Sequence, residues 1–314
     1  MSSPIVLLTQ PIIESALARI RAIADVRVAS DRSEQALSEQ IRDAEVLVVR
    51  DPIPASVIAA GERLRLVARH GVGLDYIPLD ECRRRGIPVT ITPGANTNAV
   101  VEWVVGSMIA LSHRMGTAMR FTRHGEWKKR EGLEGFELSG KTLGVVGFGR
   151  IGSALSALVS AAFKMNVLAF DPQRSANEIA IHGAKAAGFH DLLESSHFVS
   201  LHLPATDDTR HIINSQNLAR MKRGSILINA ARGALVDTDA LLNALMVGQI
   251  AGAAMDGVDT EPLPVNHPLL MRDDVILTPH SAALTHEALS NMGHMVADEV
   301  ERVLHAKAPL YAVA

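Results

Sequence analysis

The chain has a single cysteine, Cys82. No internal disulfide and no cysteine-based metal cluster can be built from it. Strong charge of either sign is also missing. The formal net charge is −3 and basic runs are short, which excludes the electrostatic footprint of a nucleic-acid or acidic-membrane binder. No apolar run approaches the roughly 20 residues of a membrane span. The run at 5–8 is far too short for a secretory leader, and no basic region precedes it. There is no internal repeat and no low-complexity tract. These absences lead us to expect a soluble, cytoplasmic protein without a nucleic-acid, membrane or metal partner.

Core material is plentiful. Of 314 residues, 47% are hydrophobic, enough for two domains or one large one. The chain is organised around 141–152, Lys-Thr-Leu-Gly-Val-Val-Gly-Phe-Gly-Arg-Ile-Gly. An apolar run suited to a buried strand (142–146) meets Gly147, Gly149 and Gly152, and an Ala- and Leu-rich helical segment follows (153–163). A second apolar run, 166–170, ends on Asp171. In that context the glycines have separate tasks. Gly147 allows the tight turn, Gly149 lets a pyrophosphate approach the backbone, and Gly152 lets helix pack on strand. The helix N-terminus offers N–H groups and a positive dipole end to the phosphates. Asp171, about 20 residues beyond the glycines, can accept from a ribose diol and would repel a 2′-phosphate, so NAD is expected over NADP. Arg174 lies close by and could soften that preference.

Before this stretch, residues 4–98 read as a first α/β unit. Strands are expected at 5–8, 26–29, 45–49, 66–68 and 87–90, with helices at 11–24 and 33–44 between them. Alternation of this kind implies a parallel sheet. Cys82 falls on a helix among Glu81 and Arg83 to Arg85, where no local base would activate a thiol. Gly71-Val72-Gly73 follows the fourth strand and is either an ordinary turn or a backbone notch for an anion. Arg50 and Arg69, at the ends of neighbouring strands, favour the anion. Pro93-Gly94 then breaks the pattern. A long apolar helix is expected over 99–121, as an interdomain core helix, a subunit interface, or both. Residues 124–137 read as an exposed loop, basic at Lys128, Lys129 and Arg130.

The second unit runs to about 285. Its strands are expected at 142–146, 166–170, 198–203, 225–230, 250–255 and 275–278, a full doubly wound dinucleotide domain. An amphipathic helix at 286–305 closes the sequence. Ligands of such sheets bind beyond the carboxyl ends of the strands. There stand the glycines, then Asp171, His202-Leu203-Pro204, Ala230-Ala231-Arg232-Gly233, Asp256 with Glu261, and His280-Ser281-Ala282. A hydride transfer needs such a set. Histidine, with a pKa near working pH, takes the hydroxyl proton. A carboxylate orients its ring and favours the imidazolium. An arginine binds a substrate carboxylate and polarises the adjacent carbonyl. His280 is assigned the acid–base role, Glu261 its partner, and Arg232 the clamp. His202 has no carboxylate in its segment and reads as structural or cofactor-adjacent.

The pieces at 147–152, Asp171, 202–204, 229–233, Asp256, 261–264, 266–270 and 279–283 resemble the D-isomer-specific 2-hydroxyacid dehydrogenases over nearly the whole chain. Within the family the pattern looks like that of the D-3-phosphoglycerate dehydrogenases and hydroxypyruvate reductases. The resemblance implies a flavodoxin-like substrate domain (1–98, completed by 286–314) and a Rossmann NAD domain (99–285), with the active site between them. It implies that Arg232, Glu261 and His280 are catalytic. It implies an NAD site lined by Val72, Arg150, Ile151, Leu203, Ala230 and Asp256, with His202, Pro204, Ala231 and Ala282 in the same matched segments. Gly71 to Gly73 would bind the substrate carboxylate through N–H groups, with Arg50, Arg69 and His70 beside them. A homodimer built near Trp103 is also implied. Glu261, where formate dehydrogenases of the superfamily carry glutamine, argues against formate. Tyr76 stands where the family usually has Asn, and His70 where it has a small residue. Arg50, Arg69 and Gly71-Val-Gly-Leu-Asp75 look like phosphoglycerate dehydrogenases, whereas Tyr76 and His70 count against that substrate. The expected substrate is of the 3-phosphoglycerate or the hydroxypyruvate/glyoxylate type, with another 2-keto acid open. The alternative from another class is a non-catalytic NAD-sensing protein like the C-terminal-binding-protein corepressors, which resemble the family and retain similar residues.

Overall fold

The computed structural model describes residues 3–313. The chain divides into two compact units, Met1–Asn96 with Leu284–Ala314, and Thr97–Ala283. The expected crossings at 98 and 285 lie two residues further on.

The first unit holds strands β1 (Ile5–Leu8), β2 (Asp25–Val28), β3 (Val46–Val49), β4 (Leu66–Arg69) and β5 (Val89–Thr90). All are parallel, in the order β2-β1-β3-β4-β5, the flavodoxin-like order. Alternate residues of β1 serve opposite faces. Val6 and Leu8 join Ile20, Val296 and Val300 in one core, whereas Leu7 joins Leu47, Ile58 and Cys82 in the other. Strands covered on both faces must be apolar throughout, and β3 reads Val-Leu-Val-Val, buried at every position. Burial pushes the Cys82 thiol up to about 11, so it packs as a small hydrophobe.

The last helix, His286–Leu304, belongs to this unit. Thr285 caps it by accepting the Ala288 N–H at 3.1 Å. Ala288, Met292, Val296, Val300 and Val303 recur every three or four residues and are buried, at roughly 1.5–3 kcal/mol for each large side chain. The helix packs on Glu14–Arg21, where a Cβ on Gly293 would lie 3.3 Å from that of Ala16.

The second unit holds β6 (Thr142–Val146), β7 (Asn166–Phe170), β8 (Lys185–Ala186), β9 (Phe198–Leu201), β10 (Ser225–Asn229), β11 (Ile250–Met255) and β12 (Val275–Leu277). They form one parallel sheet, β12-β11-β10-β9-β6-β7-β8. This is the Rossmann order with one added strand, and it reverses direction between β6 and β9. The sheet has one strand more than the six expected; β8 has two residues, too few to show a period. The single helix expected over 99–121 is two, Thr97–Ser112 and Met115–Arg123. They part because the Ser112 carbonyl leaves the helix ladder to accept the Phe136 N–H at 3.0 Å. Arg114 turns left-handed at φ 52°, and Gly116 then passes so close to Asp273 that a Cβ would lie 2.4 Å from its carbonyl oxygen. Among the described residues, no helix is long and apolar enough to cross a membrane, and no group of three or more His, Cys, Asp or Glu could hold a metal ion.

Candidate active site

The glycine turn after β6 stands at the reversal point of the second sheet. Gly147 has φ 92°, and a Cβ there would lie 2.7 Å from the backbone of His202 at the end of β9. A side chain at Gly152 would meet the Gly147 carbonyl oxygen at 2.3 Å, whereas one at Gly149 would meet nothing within 4 Å. The turn is thus packed at its two outer glycines and open at the middle one, on the side where the helix Arg150–Phe163 begins. Fourteen aligned peptides put a partial positive charge at that end. An NAD pyrophosphate fits this cradle, approaching over Gly149 onto the helix N-terminus.

Asp171, at the end of β7, accepts the Phe148 N–H at 2.7 Å and the Gln173 N–H at 2.8 Å. It therefore ties the turn to the second strand end, with lone pairs left over for a ribose diol. Arg174 is drawn to Glu178 at 3.1 Å. Arg150 is exposed and Ile151 half-buried at the helix start. His202 faces its own strand, with Nε2 2.8 Å from the Ser200 hydroxyl and Nδ1 sealed without a partner among the described residues. Burial holds its pKa down at about 4, so its ring is neutral and structural. Leu203 is half-buried and Pro204 exposed beyond it.

The three proposed catalytic residues follow β10, β11 and β12, which are neighbours in the sheet. Asn229 locks the first turn by accepting the Ala231 N–H at 3.0 Å and donating to the Arg232 carbonyl at 2.7 Å. Ala230, Ala231 and Arg232 are half-buried along it. Gly233 lies against the backbone of Val258, where any side chain would collide, so the Arg232 turn and the loop after β11 touch. Within that loop Glu261 accepts the Val258 N–H at 3.0 Å, which fixes one carboxylate oxygen.

Asp256 has a larger part than a cofactor neighbour. It is 5% exposed. Its N–H donates to Asn229 at 2.8 Å, joining β10 to β11. Its carboxylate accepts the Thr278 hydroxyl at 2.6 Å, the Ser281 N–H at 2.7 Å and the Ala282 N–H at 2.8 Å. Those donors flank His280, whose φ of 54° is left-handed and costs a non-glycine residue about 1–3 kcal/mol. The buried carboxylate holds the turn that imposes this conformation. The sequence marks Asp256 as an acid at a strand end but carries no sign of what it bonds. Ala282 is buried below it, and Glu261 and His280 are both exposed.

In the first unit Arg50 follows β3 at that sheet's own reversal point, its N–H held by the buried Thr9 hydroxyl at 2.9 Å. Thr9 and its neighbour Gln10, which binds Asp51, were not singled out from sequence. Burial lowers the Arg50 pKa, without making it neutral. Arg69 donates to the carbonyls of Gly73 at 3.1 Å, Val49 at 3.0 Å and Arg50 at 3.3 Å, and stacks on Tyr76 at 4.4 Å. It braces the loop. His70 is buried between these cations. Burial first, then the charges of Arg50 and Arg69, hold its pKa down at about 4, and its Nε2 has no partner among the described residues. Gly71 has φ 146° and gives its N–H to the Arg69 carbonyl. Among the described residues the N–H groups of Val72 and Gly73 meet no acceptor.

A sequence profile described as D-isomer specific 2-hydroxyacid dehydrogenase, NAD binding domain, matches residues 105–282. A glyoxylate reductase from Thermofilum pendens is 40% identical, over 98% of this chain and 94% of its own. A D-3-phosphoglycerate dehydrogenase from Methanocaldococcus jannaschii is 37% identical over 96% of this chain but 58% of its own length. The crystal structure of a glyoxylate reductase from Paecilomyes thermophila gives a TM-score of 0.90 at 28% identity, covering 100% of this chain and 99% of that one.

Proposed function

The chain belongs to the D-isomer specific 2-hydroxyacid dehydrogenase family, and from that premise we propose which residues act and on what. It is an NAD-dependent oxidoreductase of small 2-hydroxy and 2-keto acids. The non-catalytic alternative finds no support among these relatives. NAD supplies the hydride acceptor in oxidation and the donor in reduction. His280 removes the hydroxyl proton in one direction and returns it in the other. Glu261 is the carboxylate we assign to steadying the imidazolium. Arg232 grips the substrate carboxylate and polarises the carbonyl. Within the first unit, the N–H groups of Val72 and Gly73, with Arg50, are assigned to a substrate carboxylate, in a notch that Arg69, His70 and Gly71 shape. The nicotinamide half is lined by Val72, Ala230, Ala231, Asp256 and Ala282. The remainder is carried by the glycine turn with Arg150 and Ile151, by Asp171, and by His202 to Pro204.

The observation that carries this reading is the buried Asp256 clamp. Three donors on one carboxylate hold His280 in a left-handed turn, a conformation that packing alone gives no reason to keep. For the substrate we propose a short, unphosphorylated 2-keto acid of the glyoxylate or hydroxypyruvate kind. The engagement of Arg69 with three carbonyls supports this, as do the names of the relatives. The test is NADH oxidation against glyoxylate, hydroxypyruvate, pyruvate and 3-phosphohydroxypyruvate. His280→Ala should lower kcat by about 10³-fold with NADH affinity retained, in the range for loss of a general acid–base. A kcat within tenfold of wild type would remove His280 from the reaction. A preference for the phosphorylated acid would overturn the substrate choice.

We also propose a homodimer. The helix Met115–Arg123 buries none of its residues, and Met115, Met119 and Trp127 are exposed at 43%, 52% and 68%. Apolar side chains gathered this way suit a two-fold interface. The proposal places the enzyme in the cytoplasm, without nucleic-acid or membrane partners; the net charge of −3 supports the second part.

A further inference from the structure

We propose that Asp259, held by His211 and Arg210, is a latch that positions the Glu261 carboxylate. His211 lies at φ 49°, a left-handed conformation that suits glycine, asparagine or aspartate better. Its N–H donates to the Ala234 carbonyl at 2.8 Å, two residues beyond Arg232. That conformation delivers the ring Nε2 to Asp259 Oδ2 at 2.8 Å, and Arg210 Nη2 reaches the same oxygen at 2.9 Å. A carboxylate can only accept here, so Nε2 carries the proton. Asp259 is 15% exposed, and its other oxygen is sealed without a partner among the described residues. The two donors on Oδ2 therefore hold this side chain.

What they hold is the loop of Glu261. Asp259 follows Val258, whose N–H binds Glu261 Oε1 and whose carbonyl packs against Gly233. The inside of the loop is fixed by Glu261 and its outside by His211, which is itself bonded to the Arg232 turn. An ordinary surface ion pair would contribute little. This one is partly buried and shared by two donors, and it is reached only through a strained backbone. Arg210 and His211 are positioning residues, since neither is placed at the reacting atoms.

The inference rests on the dehydrogenase reading, so its test has a readout that needs no turnover. His211→Gly removes the ring while favouring φ 49°, which keeps the fold. Asp259→Ala removes the acceptor. In both, amide hydrogen exchange over 257–261 should rise about tenfold as the loop opens locally. kcat should fall about tenfold, with the KM for NADH within twofold of wild type, as expected for a misplaced catalytic group. Added imidazole should restore His211→Gly in part and Asp259→Ala not at all. Exchange unchanged in both variants overturns the latch, even if the wild type reduces no 2-keto acid. In an active wild type, kcat within twofold in both variants overturns it too. A wild type inactive on every acid, with exchange raised in the variants, supports the latch and sinks the reaction reading alone.

Discussion

Two glycine turns, one in each unit, follow a parallel strand and sit beside a buried histidine, yet they are closed differently. After β6 the turn runs straight into a helix of 14 residues. Its middle glycine faces open space, and its outer neighbour Asp171 bonds to the backbone from the side. After β4 the turn is crossed by the Arg69 guanidinium, which takes up the carbonyls of Gly73 and Val49. The next helix, Leu79–Arg84, has only six residues and starts several positions later. The first design suits an extended dianion, because an aligned helix terminus can face two phosphates at once. The second leaves two N–H groups and a nearby cation, enough for one carboxylate. On the function proposed above, similar punctuation in the sequence therefore serves a cofactor in one unit and a substrate in the other.

The largest effect we expect belongs to what the turns share. His70 and His202 are both held down at about 4 from an ordinary 6.5, chiefly by burial. In the unfolded chain each takes up a proton below about 6.5; in the fold neither does until about 4. Stability is therefore present above 6.5 and is lost as pH falls from 6.5 to 4, with little further loss from these groups below that. Each contributes roughly 3 kcal/mol across that window. His70→Gln and His202→Gln should each flatten the slope of unfolding free energy against pH by about 1.4 kcal/mol per unit. Denaturant melts from pH 7 to 4 measure this. A slope unchanged in one variant would show that its turn lets that histidine ionise, and would break the likeness between the two.

The next effect separates the turns. Gly147→Ala puts a Cβ 2.7 Å from the His202 backbone at a φ of 92°, and backbone cannot yield as a side chain can. NADH affinity should fall about 100-fold, since strain of a few kcal/mol falls where the pyrophosphate binds. Gly71→Ala meets the Arg69 guanidinium at 3.3 Å, a contact that a shift of a few tenths of an ångström relieves. We expect the KM for the keto acid to rise about tenfold from the φ strain alone, with NADH affinity unchanged. Fluorescence titration with NADH and steady-state kinetics measure the pair. If Gly71→Ala lost NADH affinity as Gly147→Ala does, the division of ligands between the turns would be wrong.

The sequence shows the strand ends clearly, because buried parallel strands are short apolar runs. That is how Arg232, Glu261 and His280, which follow three neighbouring strands, could be proposed together. It did not show what fixes them. Asp256 was visible as an acid at a strand end, but its three donors lie 22 to 26 residues away on another strand's loop. The His211–Asp259 pair spans 48 residues with no periodic signal. Arg69 stands at a strand end in the sequence, but no pattern there reveals that its Nε and Nη1 donate to local carbonyls. The break at Arg114 was hidden for a similar reason. Helical apolar spacing continues through it, and only the approach of Phe136 and Asp273 ends the helix.

Gly149→Ala is the smallest change and the sharpest test of the cradle. Gly149 has φ −78°, which alanine adopts without strain, and a Cβ there meets nothing within 4 Å. The folded chain has no reason to object, and loss of a glycine from the unfolded chain should stabilise it by about 0.4–1 kcal/mol. Melting of the protein without cofactor should therefore be unchanged or slightly higher. A bound pyrophosphate would object, because the methyl group stands where it approaches the backbone. NADH affinity should fall about tenfold, or about 1.4 kcal/mol. Gly152→Ala makes the contrast, since its Cβ would press on the Gly147 carbonyl at 2.3 Å and must disturb the fold itself. A Gly149→Ala protein that melts normally and binds NADH as tightly as wild type would move the phosphates off this turn. A protein that melts normally and binds poorly would show that the open space is reserved for the ligand.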